Sequence, residues 1–213
     1  MSFEIIEHRT ATAEKETRWR EIEQEVDQIE DRLGRPVDEG IKETIVALKA
    51  NGFGTTASCE GHLEWGRPYP WVRVESSVAE SLLGSARYNE LQEKARRERK
   101  GGESLTLEER DEARKLVLAQ IEGNGKEYER LSEMLAEFYD LPEGRGRARP
   151  VQLRIEKGPW NQSYLVPEGV QHLGRRARES DSKGRTMKVK ALACYRDEMK
   201  RLTEFLRERF FGG

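Results

Sequence analysis

The chain has 213 residues, a length that fits one large domain or a compact domain with a helical extension. Charged side chains make up 37 % of it, against roughly 25 % in average proteins. Two cysteines exclude a disulfide framework, and no apolar stretch is long enough to span a membrane. The first residues lack the pattern of a signal peptide, so we expect a soluble, cytoplasmic protein without a membrane partner.

Charge is unevenly distributed along the chain. Residues 144–213 contain 17 Lys/Arg and 8 Asp/Glu, whereas residues 1–143 contain 21 and 32. One interpretation is an anionic partner such as RNA, bound through the basic segments 144–149 and 175–190. The other is that the two parts neutralise each other within the fold. The sequence leaves both interpretations open.

Two amphipathic helices are predicted at the start of the chain. Apolar residues three or four positions apart predict a helix over 13–33, which Gly34 and the residues after it end. Residues 3–7 are either a short strand or the lead-in to this helix. The same spacing predicts a second helix over 37–50, closed by Asn51.

A strand pair with a long connection follows. Small and β-branched residues predict a strand over 54–59, and the glycines and prolines of 60–70 predict a loop. Strict alternation predicts a half-buried strand over 71–75, with Val72 and Val74 on its inner face. The two strands should form a hairpin-like pair.

The segment 77–140 is predicted to form a charged helical hairpin. Capping-box patterns at Ser77 and at Thr106 begin two helices, which extend to about Lys100 and Tyr139. Such a hairpin is more often an arm for packing or assembly than a catalytic part, so a homo-oligomer through these helices is one candidate.

The rest of the chain completes an α+β prediction. Strands are expected over 150–156 and 163–166, and a last helix over 187–210. We predict one α+β domain over 1–213, with a small mixed or antiparallel sheet against which this helix and the helix 37–50 pack.

Functional side chains concentrate at the end of the first predicted strand and in the loop after it. The candidate catalytic residues are Cys59 and His62. The candidate ligand-binding residues are Thr55, Thr56, Ser58, Glu60, Gly61, Trp65, Trp71 and Arg73. Polar groups on a loop held by rigid strands are a usual way to build a site, and glycine permits a tight turn or the close approach of a ligand.

Several chemistries fit Cys59 and His62. Their spacing suits metal ligands such as those of zinc, completed by His172, His8 or Cys194, but these further candidates are scattered singly and we assign no metal ligand. A thiolate–imidazolium pair oriented by Glu60 would be a nucleophile.

Two interpretations need no reactive thiol. Backbone amides around Gly61, together with His62, could hold a phosphate or carboxylate. Alternatively, Cys59 is a small buried apolar residue and His62 a hydrogen-bonded surface residue.

Three large aromatic residues follow within the loop and the next strand. Trp65, Tyr69 and Trp71 could stack on a base or line a pocket. We favour the pocket for Trp65 and a sheet-edge role for Trp71. Arg73 or Arg154 could add positive charge to the mouth of such a site.

The segment from Asp38 to Gly61 resembles a conserved segment of the tRNA wybutosine-synthesising methyltransferases, in which a similar helix leads to a Thr-Thr-Ser-Ser-Cys-Ser-Gly-Arg motif. The resemblance implies a compact α+β domain that uses S-adenosylmethionine on a modified tRNA purine. The matching positions are Thr55, Thr56, Ser58, Cys59 and Gly61. Glu60 and His62 stand where the family has serine and arginine.

The leading functional hypothesis is a protein that binds a small ligand, or acts on RNA in the manner of a methyltransferase, through the 55–62 segment. The alternatives are a non-enzymatic assembly or adaptor protein that uses the arm 77–140, and a structural zinc protein. The sequence does not decide whether the chain is an enzyme.

Overall fold

The structure is a computed structural model that describes residues 2–31, 33–102, 104–142, 145–170 and 182–212. The side chains of residues 2–11, Leu83, Ser182 and Lys183 are not part of this description. The side chain of His8, the residue His172 and residues 175–181 of the basic segment 175–190 therefore lie outside the described residues.

The described residues form an α+β fold with a four-stranded antiparallel sheet, as the sequence predicted. In chain order the elements are α1 (Ser2–Asp27), α2 (Glu39–Ala50), β1 (Gly54–Cys59), β2 (Trp71–Glu75), α3 (Ser77–Gly84), α4 (Ala86–Glu98), α5 (Leu107–Asp140), β3 (Leu153–Lys157), β4 (Ser163–Pro167) and α6 (Ser182–Gly212). The strand order is β1-β2-β4-β3, with every neighbouring pair antiparallel, so β1 is an edge strand.

One face of the sheet carries the main core. Val72 and Val74 are buried, as the alternation of β2 predicted, and they pack with Leu165 of β4. Helices α1, α2 and α6 and the last part of α5 supply the opposing side chains, among them Ile45 and Leu202. Full burial of one such side chain contributes about 1.5–3 kcal/mol, so this layer fixes the sheet that carries β1.

The predicted extent of the first helix is wrong at its end. Helix α1 includes residues 3–7 but stops at Asp27, and Leu33 is 75 % exposed. The Asp31 carboxylate accepts hydrogen bonds from the backbone N–H groups of Leu33 and Arg35. Such side-chain bonds to the backbone compete with a continuing helix.

The helix predicted over 77–100 is interrupted. It begins one residue earlier than its capping pattern indicated, because the Ser76 hydroxyl accepts from the Ala79 N–H. A second cap follows at Ser85, whose hydroxyl accepts from the Tyr88 N–H and starts α4.

The arm and the core share helix α5. The capping box at Thr106 is confirmed, and α5 continues from it to Asp140. Among the described residues, those of 77–130 take no part in the main core, whereas Leu131, Met134 and Phe138 are buried in it. The far end of α5 is thus anchored under the sheet.

Ion pairs between α6 and the earlier part of the chain account for much of the charge asymmetry. They join Arg185 to Glu64, Arg196 to Glu60, Arg207 to Glu43 and Arg209 to Glu137. Exposed pairs are worth only about 0–1 kcal/mol each, so they show complementarity more than stability. This supports the interpretation that the two parts neutralise each other.

The basic segment 144–149 is partly neutralised by carboxylates of α6, within the basic part of the chain itself. Arg147 pairs with Asp197 and with the buried carboxylate of Glu198. An RNA partner stays a prediction. In the part of the chain that the structure describes, every helix is too short or too polar to cross a bilayer.

Candidate functional site

A cleft with a cavity volume of about 740 Å³ lies beside the edge strand β1. Its opposite wall is the connection between α1 and α2, and its third side is the loop between β1 and β2. The residues that line it are Ile29, Glu30, Asp31, Arg35, Pro36, Val37, Asp38, Glu39, Ile45, Thr55, Thr56, Ala57, Ser58, Cys59, Trp65, Gly66, Arg67 and Trp71.

The cleft follows the open edge of β1. Residues 55–59 all line it, although consecutive side chains of a strand point to opposite faces. A β-bulge between Thr55 and Ala57 adds to this exposure of neighbouring residues. An edge strand leaves half of its backbone N–H and C=O groups without a sheet partner, so the cleft wall offers donors and acceptors.

Three potential metal ligands meet at one end of this cleft. One ligand atom each from Asp38, Cys59 and His62 lie within 4.8 Å of one another, the one such group among the described residues. Nε2 of His62 is 3.2 Å from Oδ2 of Asp38. Cys59 is buried, whereas the side chains of His62 and Asp38 are 16 % and 29 % exposed, and Asp38 and Cys59 border the cleft.

Asp38 faces this group because Glu60 takes over the capping of α2. Asp38 is the N-cap residue, yet within the described part of the chain its side chain forms no capping hydrogen bond. Oε2 of Glu60 instead accepts from the N–H of Gly40, at 2.8 Å, while Oδ2 of Asp38 accepts from the N–H of Glu60. Glu60 thus makes the capping hydrogen bond that an N-cap aspartate usually makes, and the Asp38 carboxylate is turned toward Cys59 and His62.

The loop after Cys59 is held by backbone geometry and by α6. Gly61 has φ +83°, and an added Cβ would lie 2.6 Å from the carbonyl carbon of Tyr69. Its role is therefore the tight turn, since protein and not ligand fills the adjacent space. Arg196 of α6 donates to the carbonyl oxygens of Glu60 and Gly61 and pairs with the Glu60 carboxylate.

His62 is fixed by two further contacts. Its ring stacks on Trp65 with a centroid distance of 3.6 Å, and its backbone N–H donates to the Arg67 carbonyl. Oε1 of Glu60 stands 3.9 Å from its Nδ1. Because carboxylates flank both ring nitrogens, the imidazole is oriented before any ligand arrives.

The remaining wall of the cleft combines aromatic rings with guanidinium groups. The Arg67 guanidinium lies 5.1 Å from the ring centroid of Trp71, and Arg35 lies 5.9 Å from that of Trp65. Arg35 is paired with Asp31. Among the described residues no carboxylate forms an ion pair with Arg67, which is exposed.

Burial raises the pKa of the Cys59 thiol above its ordinary value, and the nearby Asp38 carboxylate adds to the rise. The N–H of Gly61, which donates to Sγ at 3.3 Å, opposes this effect. The environment thus favours the neutral thiol in the protein alone, which speaks against an activated nucleophile.

Arg73 is not among the residues that line the cleft, although it contacts one of them. Its Nε donates to the Thr56 hydroxyl and pairs with the buried Glu75 carboxylate at 2.9 Å. Arg154 pairs with Glu156 and Glu168. The guanidinium groups that line the cleft are those of Arg35 and Arg67, which sequence reasoning did not select.

Of the residues selected from the sequence, six line the cleft: Thr55, Thr56, Ser58, Cys59, Trp65 and Trp71. His62 belongs with Cys59 to the group of three potential metal ligands. Glu60 caps α2 and Gly61 forms the tight turn of the loop. Asp38 was missed as a site residue, because an Asp before a helix ordinarily caps it. Cys194 is exposed and does not belong to the group.

No protein-family model matches this sequence, and the comparisons with curated proteins and with solved structures find no similar protein.

Proposed function

We propose that the protein binds a small molecule with a planar ring and a carboxylate or phosphate group in the cleft beside β1. The observation that carries this proposal is the composition of the cleft. Aromatic rings, apolar side chains and a guanidinium that has no ion pair among the described residues lie along an exposed strand edge. Small-molecule sites typically have about 300–1,000 Å³ and mostly apolar walls with a few polar groups. The volume of about 740 Å³ fits this range.

The ring of the ligand is expected at the tryptophan side of the cleft. Trp65 is 55 % exposed, unusual for a large aromatic residue that already stacks on a neighbouring side chain. Stacking of a planar group on an aromatic ring is worth about 1–3 kcal/mol.

The anionic group is expected at Arg67. Its guanidinium lines the cleft and forms no ion pair with a carboxylate in the described part of the chain. A second polar contact is available at Thr55, whose Oγ1 is buried beside the cleft without a hydrogen-bond partner among the described residues. Buried polar groups usually have a partner, and a ligand would supply one here.

The test uses two pairs of probes that differ in charge: adenosine 5′-monophosphate with adenosine, and indole-3-acetate with indole. Isothermal titration calorimetry should show saturable binding of at least one anionic probe, tighter than its neutral counterpart. Arg67→Gln should remove about tenfold of that preference, because hydrogen bonds to charged groups contribute about 1.5–3 kcal/mol. Trp65→Leu should weaken the charged and the neutral probe alike.

Arg149→Gln is the matched control, because this arginine is 84 % exposed and lies outside the cleft lining. It should leave both affinities unchanged. Absence of saturable binding for all four probes contradicts the proposal, as does an undiminished preference in Arg67→Gln.

The methyltransferase hypothesis is a special case of this proposal. S-adenosylmethionine has a purine ring and a carboxylate, the two features expected of the ligand. Binding that is tighter for S-adenosylmethionine than for adenosine, and that Arg67→Gln weakens, would support this case. A chain that binds the other probes but not this one would exclude it.

Assembly through the arm stays a separate prediction. Leu107 and Leu118 are 82 % and 53 % exposed, and their eleven-residue spacing brings them to nearly the same side of α5. Sedimentation equilibrium of the chain and of a Leu107→Lys, Leu118→Lys variant tests it. Self-association that the variant loses would support assembly.

A further inference from the structure

The structure points to a zinc site formed by Asp38, Cys59 and His62, with its fourth coordination position open to the cleft. We propose that one Zn²⁺ binds there. The zinc site deepens the proposed function. Only the occupant of the fourth position, the anionic group of the ligand or water, rests on that proposed function. The binding of the metal by itself requires no ligand.

Distances support a single ion. Tetrahedral Zn²⁺ with bonds of about 2.0–2.3 Å holds its ligand atoms about 3.3–3.8 Å apart. The three ligand atoms lie within 4.8 Å of one another, and Oδ2 of Asp38 is 3.2 Å from Nε2 of His62. Only small side-chain movements would bring all three into coordination.

The donor set selects the metal. A thiolate, an imidazole and a carboxylate are the three ligand types that Zn²⁺ accepts, whereas Mg²⁺ and Ca²⁺ require oxygen ligands. The Asp, Glu and Arg residues that line the cleft are four acids, Glu30, Asp31, Asp38 and Glu39, and two bases, Arg35 and Arg67. This excess of negative charge favours a cation, and a bound Zn²⁺ would offset the negative charge that otherwise opposes the anionic group of the ligand.

The surroundings hold the ligands as outer-shell groups of metal sites do. Glu60 caps α2 and so leaves the Asp38 carboxylate available. Arg196 fixes the carbonyl oxygens on both sides of the turn between Cys59 and His62. Outer-shell residues orient the ligands, and changing them typically lowers metal affinity 10–100-fold. Glu60 and Arg196 are placed to provide this support.

Three protein ligands indicate an open site. Structural zinc sites usually have four protein ligands, whereas sites that bind substrate keep one position free. Within the described residues the group has three members, and two of them, Asp38 and Cys59, also line the cleft. The free position therefore faces the space in which we place the ligand.

The experiment measures metal binding to the full chain without organic ligand. After dialysis against chelator, the protein is titrated with Zn²⁺ alone and its bound metal is counted by elemental mass spectrometry. We expect one Zn²⁺ per chain. Asp38→Asn, Cys59→Ser and His62→Gln should each lower the affinity about a hundredfold or more, beyond the loss that outer-shell changes cause.

Cys194→Ser is the matched control, since Cys194 is the other cysteine and is exposed. It should bind Zn²⁺ as the unchanged chain does. Far-ultraviolet circular dichroism of each variant checks the fold. For any variant that fails to fold, titration of the Cys194→Ser chain with Co²⁺ decides, because Cys59 is then the one remaining thiol. A sulfur-to-cobalt charge-transfer band supports coordination by Cys59, and its absence opposes it.

A chain that binds less than one Zn²⁺, or a Cys194→Ser variant that loses zinc while Cys59→Ser keeps it, overturns the proposal. The two proposals fail separately. Probe binding without zinc binding would refute the metal site alone, and zinc binding without probe binding would refute the ligand cleft alone.

Discussion

The two ends of the β1–β2 strand pair carry polar clusters that differ in their accessibility. At one end Cys59 lies opposite Trp71, beside the cleft. At the other end Gly54 lies opposite Glu75, which is fully buried. Each end combines a carboxylate with other polar side chains, so polarity alone does not separate the two ends.

The Glu75 end is closed by side chains of the protein. The Glu75 carboxylate accepts hydrogen bonds from Thr56 and Gln162 and pairs with Arg73. Helix α5 covers the next residue, because Oδ1 of Asn124 accepts from the N–H of Ser76.

The Cys59 end uses its side chains differently. Arg196 donates hydrogen bonds to the supporting residues Glu60 and Gly61. The Asp38–Cys59–His62 group remains beside the cleft. The comparison indicates that accessibility decides the role of a polar cluster. A cluster whose partners are all protein groups holds the sheet and the arm together, whereas a cluster beside a cleft can bind a ligand.

The largest expected effect lies at the closed end. Glu75→Ala should lower the free energy of unfolding by about 3 kcal/mol or more, because removing one partner of a buried ion pair leaves the other charge uncompensated. Cys59→Ser should cost about 1 kcal/mol, since no buried charge loses its partner. Urea denaturation followed by circular dichroism measures both values.

Glu156→Ala is the control for Glu75→Ala, because it removes a partly exposed carboxylate from the same sheet. It should cost no more than about 1 kcal/mol. Equal losses for the Glu75 and Cys59 variants would remove the distinction between the two ends.

A smaller effect is expected from Gly40→Ala at the open end. An added Cβ would overlap Oε2 of Glu60, so the cap on α2 would be displaced and the support of the Asp38 group lost. Zinc affinity should fall about tenfold, with little change in stability because alanine is the better helix former.

Gly125→Ala is the matched control in another helix, since an added Cβ there would meet no atom of the described residues within 4 Å. It should stabilise the chain by up to about 1 kcal/mol and leave zinc binding unchanged. Zinc affinity that is the same in both glycine variants would show that Glu60 does not support the site.

The smallest net effect is expected from a double substitution of Tyr88 and Gln120, a buried pair that joins α4 to α5 in the arm. The hydroxyl of the buried Tyr88 donates to Oε1 of Gln120, whose Nε2 has no partner among the described residues. Gln120→Leu alone should cost about 1–3 kcal/mol, because the tyrosine hydroxyl loses its acceptor.

The double variant Gln120→Leu, Tyr88→Phe should return to within about 1 kcal/mol of the unchanged chain, since replacing both partners by apolar groups is nearly neutral. Thermal denaturation of the single and double variants measures the recovery. A double variant that is less stable than Gln120→Leu would mean that the Tyr88 hydroxyl stabilises the fold through a contact other than its hydrogen bond to Gln120.

Local patterns predicted the strand pair but not the site around it. The strands 54–59 and 71–75 were predicted with their observed bounds, because alternation and flanking glycine and proline are local signals. The end of α1 was wrong since Leu33 continues the apolar spacing, whereas the Asp31 side chain turns the chain first.

A contact between residues distant in sequence explains why Asp38 was missed. Asp38 joins Cys59 and His62 only because Glu60, more than twenty positions later, occupies its place at the helix N-terminus. A glycine early in the helix, at position 40, is the one local trace of this exchange, since it makes room for the Glu60 carboxylate.

Hydrogen–deuterium exchange of the full chain with and without Zn²⁺ tests the contrast between the two ends most directly. We predict slower exchange of the backbone amides in 38–40 and 59–67 when zinc is present, and unchanged exchange in 75–80 and 120–127. Equal protection at both ends, or protection at the Glu75 end alone, would contradict the assignment of the open cluster as the binding site.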